Sequence, residues 1–238
     1  MTHAEKLRID GLANVRDLGG VPTADGRVVR SRQVIRSDNP RGLTDQGQQD
    51  LSDVVAPALI VDLRVHLEVQ REGYTVVHDP VRIVNLPMQP QSGFMPEHIA
   101  DGLADNLVDD YLRQIEVNAD SIVGALSLIA DPANRPMVVH CTAGKDRTGI
   151  VVSMLLSILG VTDDVIVADY AVTARNMGPV LERIRNAPVL QENGLASAAD
   201  WVFAAEPETM RDFLAAMHAR YGSAEDWALG KGLTPDEV

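Results

Sequence analysis

Two hydrophobic periodicities alternate along this chain. Short apolar runs rich in β-branched residues lie at 33–36, 58–64, 81–86 and Met137–His140, each bounded by charged or turn residues. Such runs predict buried strands. Between and after them, apolar residues recur at helical spacing. Leu107, Tyr111, Ile115, Ile122, Leu126 and Ile129 form one stripe, read as a helix or two ending at Asp131-Pro132. Residues 150–159 are apolar apart from Ser153 and Ser157 and end at Gly160, which predicts a buried helix. Thr162-Asp163-Asp164 opens a helix carrying Val165, Ile166, Val167, Tyr170 and Val172, with acid where the dipole favours it. A separate helix is expected over 179–186. Met210, Phe213, Leu214, Met217 and Tyr221 make a core-facing stripe, followed by Gly222-Ser223 and a small docked helix with Trp227.

Turn chemistry supplies the boundaries. Asp25-Gly26 predicts a hairpin joining 27–30 to 33–36. Thr44 predicts an N-cap for a helix to about Ser52, although Gly47 weakens it. Asn14-Val15-Arg16-Asp17-Leu18-Gly19-Gly20 reads as a turn stapled by Arg16 and Asp17, with a place beside the functional loop as the alternative. Residues 89–110 are polar, with Pro, Gly and Met and no firm period, which is where an insertion or lid is expected. Strands alternating with helices predict an α/β fold with a central, mostly parallel sheet flanked by helices. With 238 residues and no linker-like tract, residues 1–238 read as a single domain whose C-terminal part, 162–238, is helical.

Charge and cysteine content narrow the chemistry. A net charge of −13 argues against nucleic acid and against a basic membrane-binding surface, so any anion pocket must be a local positive island. The lone cysteine, Cys141, allows no disulfide within the chain and fits a reducing compartment. The polar residues 1–10 do not resemble a signal peptide, and no run approaches membrane-spanning length. A cytoplasmic location is expected, with signal-less export left open; the sequence does not state an oligomeric state.

Cys141 and Arg147 occupy a compact polar loop between the strand ending at His140 and the buried helix. A strand–loop–helix junction aims backbone N–H groups and the positive end of the helix dipole at one spot. That is an anion cradle with a thiol at its floor, formed by Thr142, Ala143, Gly144, Lys145, Asp146, Arg147 and Thr148. A helix N-terminus and neighbouring cations favour the thiolate, which is the nucleophile. Arg147 can return over the loop and grip two phosphoryl oxygens with its planar fork. Thr148 is expected to donate its hydroxyl to the sulfur.

His140-Cys141-x-x-Gly144-x-x-Arg147-Thr148-Gly149 resembles the signature of cysteine-dependent phosphatases. The fuller His-Cys-Thr-Ala-Gly-Lys-Asp-Arg-Thr-Gly resembles that of the bacterial protein tyrosine/serine phosphatases. Asn14 to Gly20, Arg36-Ser37-Asp38 and Asp62-Leu63-Arg64 with Glu68 resemble the same family, and the likeness runs from about Asn14 to about Leu233. It implies a cysteine-phosphatase fold with a helical lid and a Cys141 phosphocysteine intermediate, without metal or cofactor. It also implies a bound phosphate and a phosphoprotein substrate carrying phosphotyrosine or phosphoserine/threonine. Lys145 inside the loop keeps a phosphoinositide substrate as an alternative. A silent phospho-binding module is the rival class, and a sulfur-transfer or arsenate-reducing enzyme a third. Two carboxylates compete as proton donor, since Trp201 and Trp227 are not followed by the Pro-Asp of the mobile acid loop many tyrosine phosphatases use. Asp146 sits in the cradle, though the adjacent Arg147 and helix start should favour its ionised form. Asp62 ends its strand and serves either as acid or as the ion-pair partner of a loop arginine. His140 is expected to hold the loop by a hydrogen bond. Arg30, Arg32, Arg36 and Arg41 are expected on a solvated face, with one reaching the substrate's charge, and Asp109 and Asp110 on a solvated helix face.

Overall fold

The structure, a computed structural model, describes residues 5–73, 81–89, 106–185 and 204–238. In chain order it contains β1 (Glu5–Lys6), β2 (Arg16–Asp17), β3 (Val34–Ser37), α1 (Asp45–Val54), β4 (Leu59–Asp62), α2 (His66–Glu72) and β5 (Arg82–Asn85). There follow α3 (Leu107–Val117), α4 (Ala119–Ala130), β6 (Met137–His140), α5 (Asp146–Ile158), α6 (Asp163–Arg185), α7 (Pro207–Tyr221) and α8 (Ala224–Gly230). The six strands form one sheet in the order β1-β2-β3-β6-β4-β5, parallel from β3 to β5 and antiparallel at the β1-β2-β3 edge. The mostly parallel sheet expected from the alternation is present.

Strand register explains how the sheet is covered on both faces. Ile35, Ile60 and Val138 share one row across β3, β4 and β6 and pack with Leu51 of α1 and with Val55 just beyond it. The alternate positions Val34, Leu59, Val61, Met137 and Val139 face the larger core built with α3 to α8. The period of two in side-chain direction therefore sorts each short apolar run into two cores. α5 is buried from Arg147 to Leu156, which accounts for an apolar run without a polar face.

Local signals set most boundaries. Thr44 caps α1 by accepting from Gly47 N at 3.0 Å. The stripe from Leu107 to Ile129 is two helices broken at Asn118, whose side chain accepts from Gln89 N at 2.7 Å. Two expectations are corrected. The turn at Asp25-Gly26 folds 27–29 back on 20–23, with Thr23 N bonding Arg27 O and Val29 N bonding Val21 O, whereas 34–37 pairs with β2 and β6. The two helices expected over 163–186 are one, α6, with Pro179 inside it. Buried Met177 and Val180 flank the proline, and Arg183 beyond it bonds Gly11 O and pairs with Asp38, so tertiary contacts outweigh the lost backbone bond. Most of the expected lid, 90–105, lies outside the described residues. No described helix is long and apolar enough to cross a membrane.

Candidate active site

The loop from Cys141 to Lys145 leaves β6 at the carboxyl edge of the sheet and ends at the first turn of α5. Each carbonyl along it is held. His140 Nδ1 lies 3.0 Å from Cys141 O, Asn39 N donates to Thr142 O at 3.1 Å, and Asn14 Nδ2 donates to both Ala143 O and Gly144 O at 3.1 Å. Arg36 Nη2 adds a 2.8 Å bond to Gly144 O. The N–H groups of Thr142, Ala143 and Gly144 find no acceptor among the described residues. Carbonyls held by the scaffold and amides left over are the two halves of an anion-binding nest. Gly144 has φ +66°, and a Cβ there would sit 2.4 Å from Ser37 O, so the turn excludes any side chain.

The groups that hold the loop are themselves fixed by a buried charge cluster. Asp169 of α6 accepts from Arg16 Nε at 2.7 Å and from Arg36 Nη1 at 2.5 Å, and Arg16 Nη1 donates to Asn14 Oδ1 at 2.7 Å. Burial would raise the Asp169 pKa, but the two guanidiniums outweigh it and hold it at about 2. The Asn14 stretch is thus both structural and beside the loop, where the sequence favoured a mainly structural role and kept the place beside the loop as the alternative. Arg36 is buried, not solvated; Arg30, Arg32 and Arg41 are exposed as expected.

Cys141 is 3% exposed at the floor of the loop. Arg147 turns its terminal nitrogens to Glu68 of α2, at 2.6 and 2.8 Å. Glu68 also accepts from Thr142 Oγ1 at 2.6 Å and from Val65 N at 2.9 Å. Burial opposes its ionisation, yet Arg147 prevails and holds it at about 2. Arg147 Nη2 also donates to Thr142 Oγ1 at 3.2 Å, while Nε makes no hydrogen bond among the described residues. Thr148 Oγ1 is buried without a hydrogen-bond partner among the described residues, so the expected bond to sulfur is not formed.

The two candidate acids differ sharply. Asp62 is fully buried, and its carboxylate accepts from Arg64 Nη2 at 2.7 Å, from Nε at 3.0 Å and from the Arg64 backbone at 2.9 Å. Burial raises its pKa, but His140 and Arg64 bring it below the usual carboxylate range. This is the ion-pair alternative of the two that the sequence left open. Asp146 is instead pushed up, chiefly by burial, against the opposing effects of Lys145 and a hydrogen bond from Tyr111. The suppression expected from the adjacent cation and helix start is outweighed by burial. His140 is buried, and burial lowers its pKa despite Asp62, which suits a neutral loop-holding imidazole. Asp109 is exposed, but Asp110 is buried and bound by Arg113 and Gln114.

The residues missed from sequence are Glu68, Asn14, Arg36 and Asp169 as loop supports, and Tyr111 and Tyr170 behind Asp146. Glu68, Asn14 and Arg36 lay in quoted motifs; the tyrosines were hidden inside helical stripes. Among the described residues no group of three or more His, Cys, Asp or Glu side chains could hold a metal ion.

Comparison with known proteins finds similarity along most of the chain. The model of a family described as the tyrosine phosphatase family matches residues 7–238. The triple specificity protein phosphatase PtpB of Mycobacterium tuberculosis is 30% identical over 194 residues, covering 68% of this chain and 67% of that protein. A putative tyrosine-protein phosphatase of Cupriavidus necator is 32% identical over 175 residues, covering 69% of this chain and 61% of that protein. The chain therefore spans about two thirds of the first relative and less of the second. Among solved structures, the core catalytic domain of the PP-IP phosphatase SIW14 from S. cerevisiae gives a TM-score of 0.43 at 15% identity, covering 82% of this chain and 97% of that chain. P. aeruginosa TpbA in complex with pTyr gives 0.41 at 16%, covering 83% and 96%.

Proposed function

This chain belongs to the tyrosine phosphatase family, and we propose that it hydrolyses phosphate monoesters, phosphotyrosine first and phosphoserine/threonine with it, through a Cys141 phosphocysteine. One observation carries this reading: a buried thiol lies under a loop whose carbonyls are all tied back, beside an arginine whose Nε makes no hydrogen bond among the described residues.

The Cys141 thiolate attacks phosphorus as the P–O bond to the leaving group breaks. Charge on the equatorial oxygens is met by the amides of Thr142, Ala143 and Gly144 and by Arg147 through Nε and Nη2. Glu68 holds the guanidinium from its far edge, so the grip asks only that Nη2 exchange its 3.2 Å bond to Thr142 Oγ1 for a phosphoryl oxygen. Asp146, kept protonated more readily by burial, gives its proton to the leaving oxygen and becomes a carboxylate. That carboxylate then takes a proton from water, whose oxygen attacks phosphorus and releases phosphate and the thiolate. Asp62 does not serve as the acid, because Arg64 occupies its carboxylate.

The test is metal-free hydrolysis by wild type and Cys141→Ser across phosphotyrosine, phosphoserine/threonine and phosphoinositide substrates. Turnover is expected in wild type alone, highest on phosphotyrosine. A phosphoinositide preference would replace the substrate assignment. An inactive wild type that still binds phosphopeptide would make the chain a binding module.

A further inference from the structure

Asp146 is the first residue of α5, and its carboxyl meets a side chain from a second helix, which in turn meets one from a third. Tyr111 of α3 donates its hydroxyl to Asp146 Oδ1 at 2.5 Å. Lys145 Nζ reaches the same oxygen at 3.2 Å. Behind Tyr111, the Tyr170 hydroxyl of α6 lies 2.8 Å away. Oδ2 makes no bond among the described residues.

Both tyrosines are buried with their rings edge to face at 82°, and Tyr111 packs the same way on Phe213 of α7 at 83°. Burial and the nearby Asp146 carboxyl raise both phenol pKa values, so both remain neutral donors. A phenol has one proton to give. Tyr111 gives its own to Asp146, so the bond between the tyrosines must run from Tyr170 to Tyr111.

The direction of this chain has a consequence for the acid. A proton placed on Oδ1 would require both phenol hydroxyls to reverse, and would still meet the Lys145 hydrogen aimed there. A proton on Oδ2 meets no such obstacle. We propose that Tyr111 and Tyr170 are positioning residues for the general acid, a one-way relay into Asp146 Oδ1 that confines the transferable proton to Oδ2. The proposal rests on Asp146 being the acid and goes beyond it in stating which oxygen delivers the proton and what fixes it. The relay also explains why the stripe on α3 carries a tyrosine at a fully buried position. A phenylalanine would fill the same volume but leave Oδ1 free to take the proton and turn it from the substrate.

The test is kinetic, using Tyr111→Phe, Tyr170→Phe, Asp146→Asn and the double variant Tyr111→Phe/Asp146→Asn. Substrates are an alkyl phosphate and an aryl phosphate with a good leaving group. Tyr111→Phe should lower kcat on the alkyl substrate about tenfold to a hundredfold, leave KM unchanged and barely touch the aryl substrate. Removing a donor to the carboxylate raises the acid's pKa, so the basic limb of the pH profile should move to higher pH. Tyr170→Phe should act in the same direction and less. In the Asp146→Asn background, Tyr111→Phe should have no further effect.

Asp146→Asn alone reports on the premise: equal losses on both substrates would remove Asp146 as acid and the relay with it. If Asp146→Asn is selective for the alkyl substrate but Tyr111→Phe lowers both equally, or still costs activity beside Asp146→Asn, the tyrosines are merely structural and the proposal falls. Thermal melts keep loss of fold apart from loss of aim; should Tyr111→Phe fail to fold, the same selectivity read on Tyr170→Phe decides.

Discussion

Arg147 is held before any phosphate arrives, and its partner Glu68 is where this can be probed. The ion pair spans 79 positions of sequence and joins α2 to the loop. Glu68→Gln keeps a hydrogen-bond acceptor for Arg147 and Thr142 but removes the charge that orders the fork. With the guanidinium free to swing, kcat/KM should fall roughly tenfold to a hundredfold, the size of a misplaced catalytic group, and thermal stability at neutral pH should fall as well, because the buried Arg147 loses its counter-charge. Steady-state kinetics with a melting curve would check this; unchanged kcat/KM would mean that the loop amides alone orient the phosphoryl group. Cys141 and Arg147 were legible in sequence because loop and helix start are contiguous. Glu68, Asn14 and Tyr111 were not, since their meaning lies in partners 79, 129 and 35 positions away. Asp110 was misjudged for a different reason: its acidic character suits an exposed face, but Gln114 and Arg113, one turn on, bind it where it is buried.

Elements with a simple period were readable, and those shaped by a distant anchor were not. The apolar runs gave β3, β4 and β6, and the stripes gave α3, α4, α5 and α7, because burial on one face or all round leaves a pattern. α6 broke the rule at Pro179, where local chemistry argued for two helices. The helix persists because buried Val180 and the anchors of Arg183 reward continuity. Pro179→Ala should then restore the missing N–H to the ladder and stabilise the protein by about 1–3 kcal/mol, read as an increased urea midpoint at unchanged m-value. A loss of stability would instead show that the helix is shaped around the proline.

At the scale of the molecule, the decisive feature is that an acidic protein concentrates paired charge beneath one loop. Asp169 neutralises Arg16 and Arg36, which with Asn14 tie back the loop carbonyls, so fold stability and loop geometry depend on one carboxylate. Its folded pKa, about 2, lies below the ordinary value of 3.8. The unfolded chain therefore binds a proton more readily than the folded one, and acid favours unfolding. The contribution, on the order of 2 kcal/mol, is fully present above about pH 4 and is lost as pH falls through the folded value. Glu68, also held at about 2, acts in the same window and direction. Asp146, whose pKa is raised, acts oppositely: its contribution is present at low pH and fades as pH rises through its folded value. Urea unfolding between pH 2 and 7 should show stability falling steeply below about pH 4. Asp169→Asn should flatten that fall while lowering stability at neutral pH by about 3–5 kcal/mol, since it leaves two buried guanidiniums without their counter-charge. Activity should fail together with stability in this variant, because Arg36 and Asn14 lose their fixed positions and the loop carbonyls are released toward the site. A variant stable at pH 7 with full activity would mean that Asn39 and His140 hold the loop unaided, and that the buried cluster serves the fold alone.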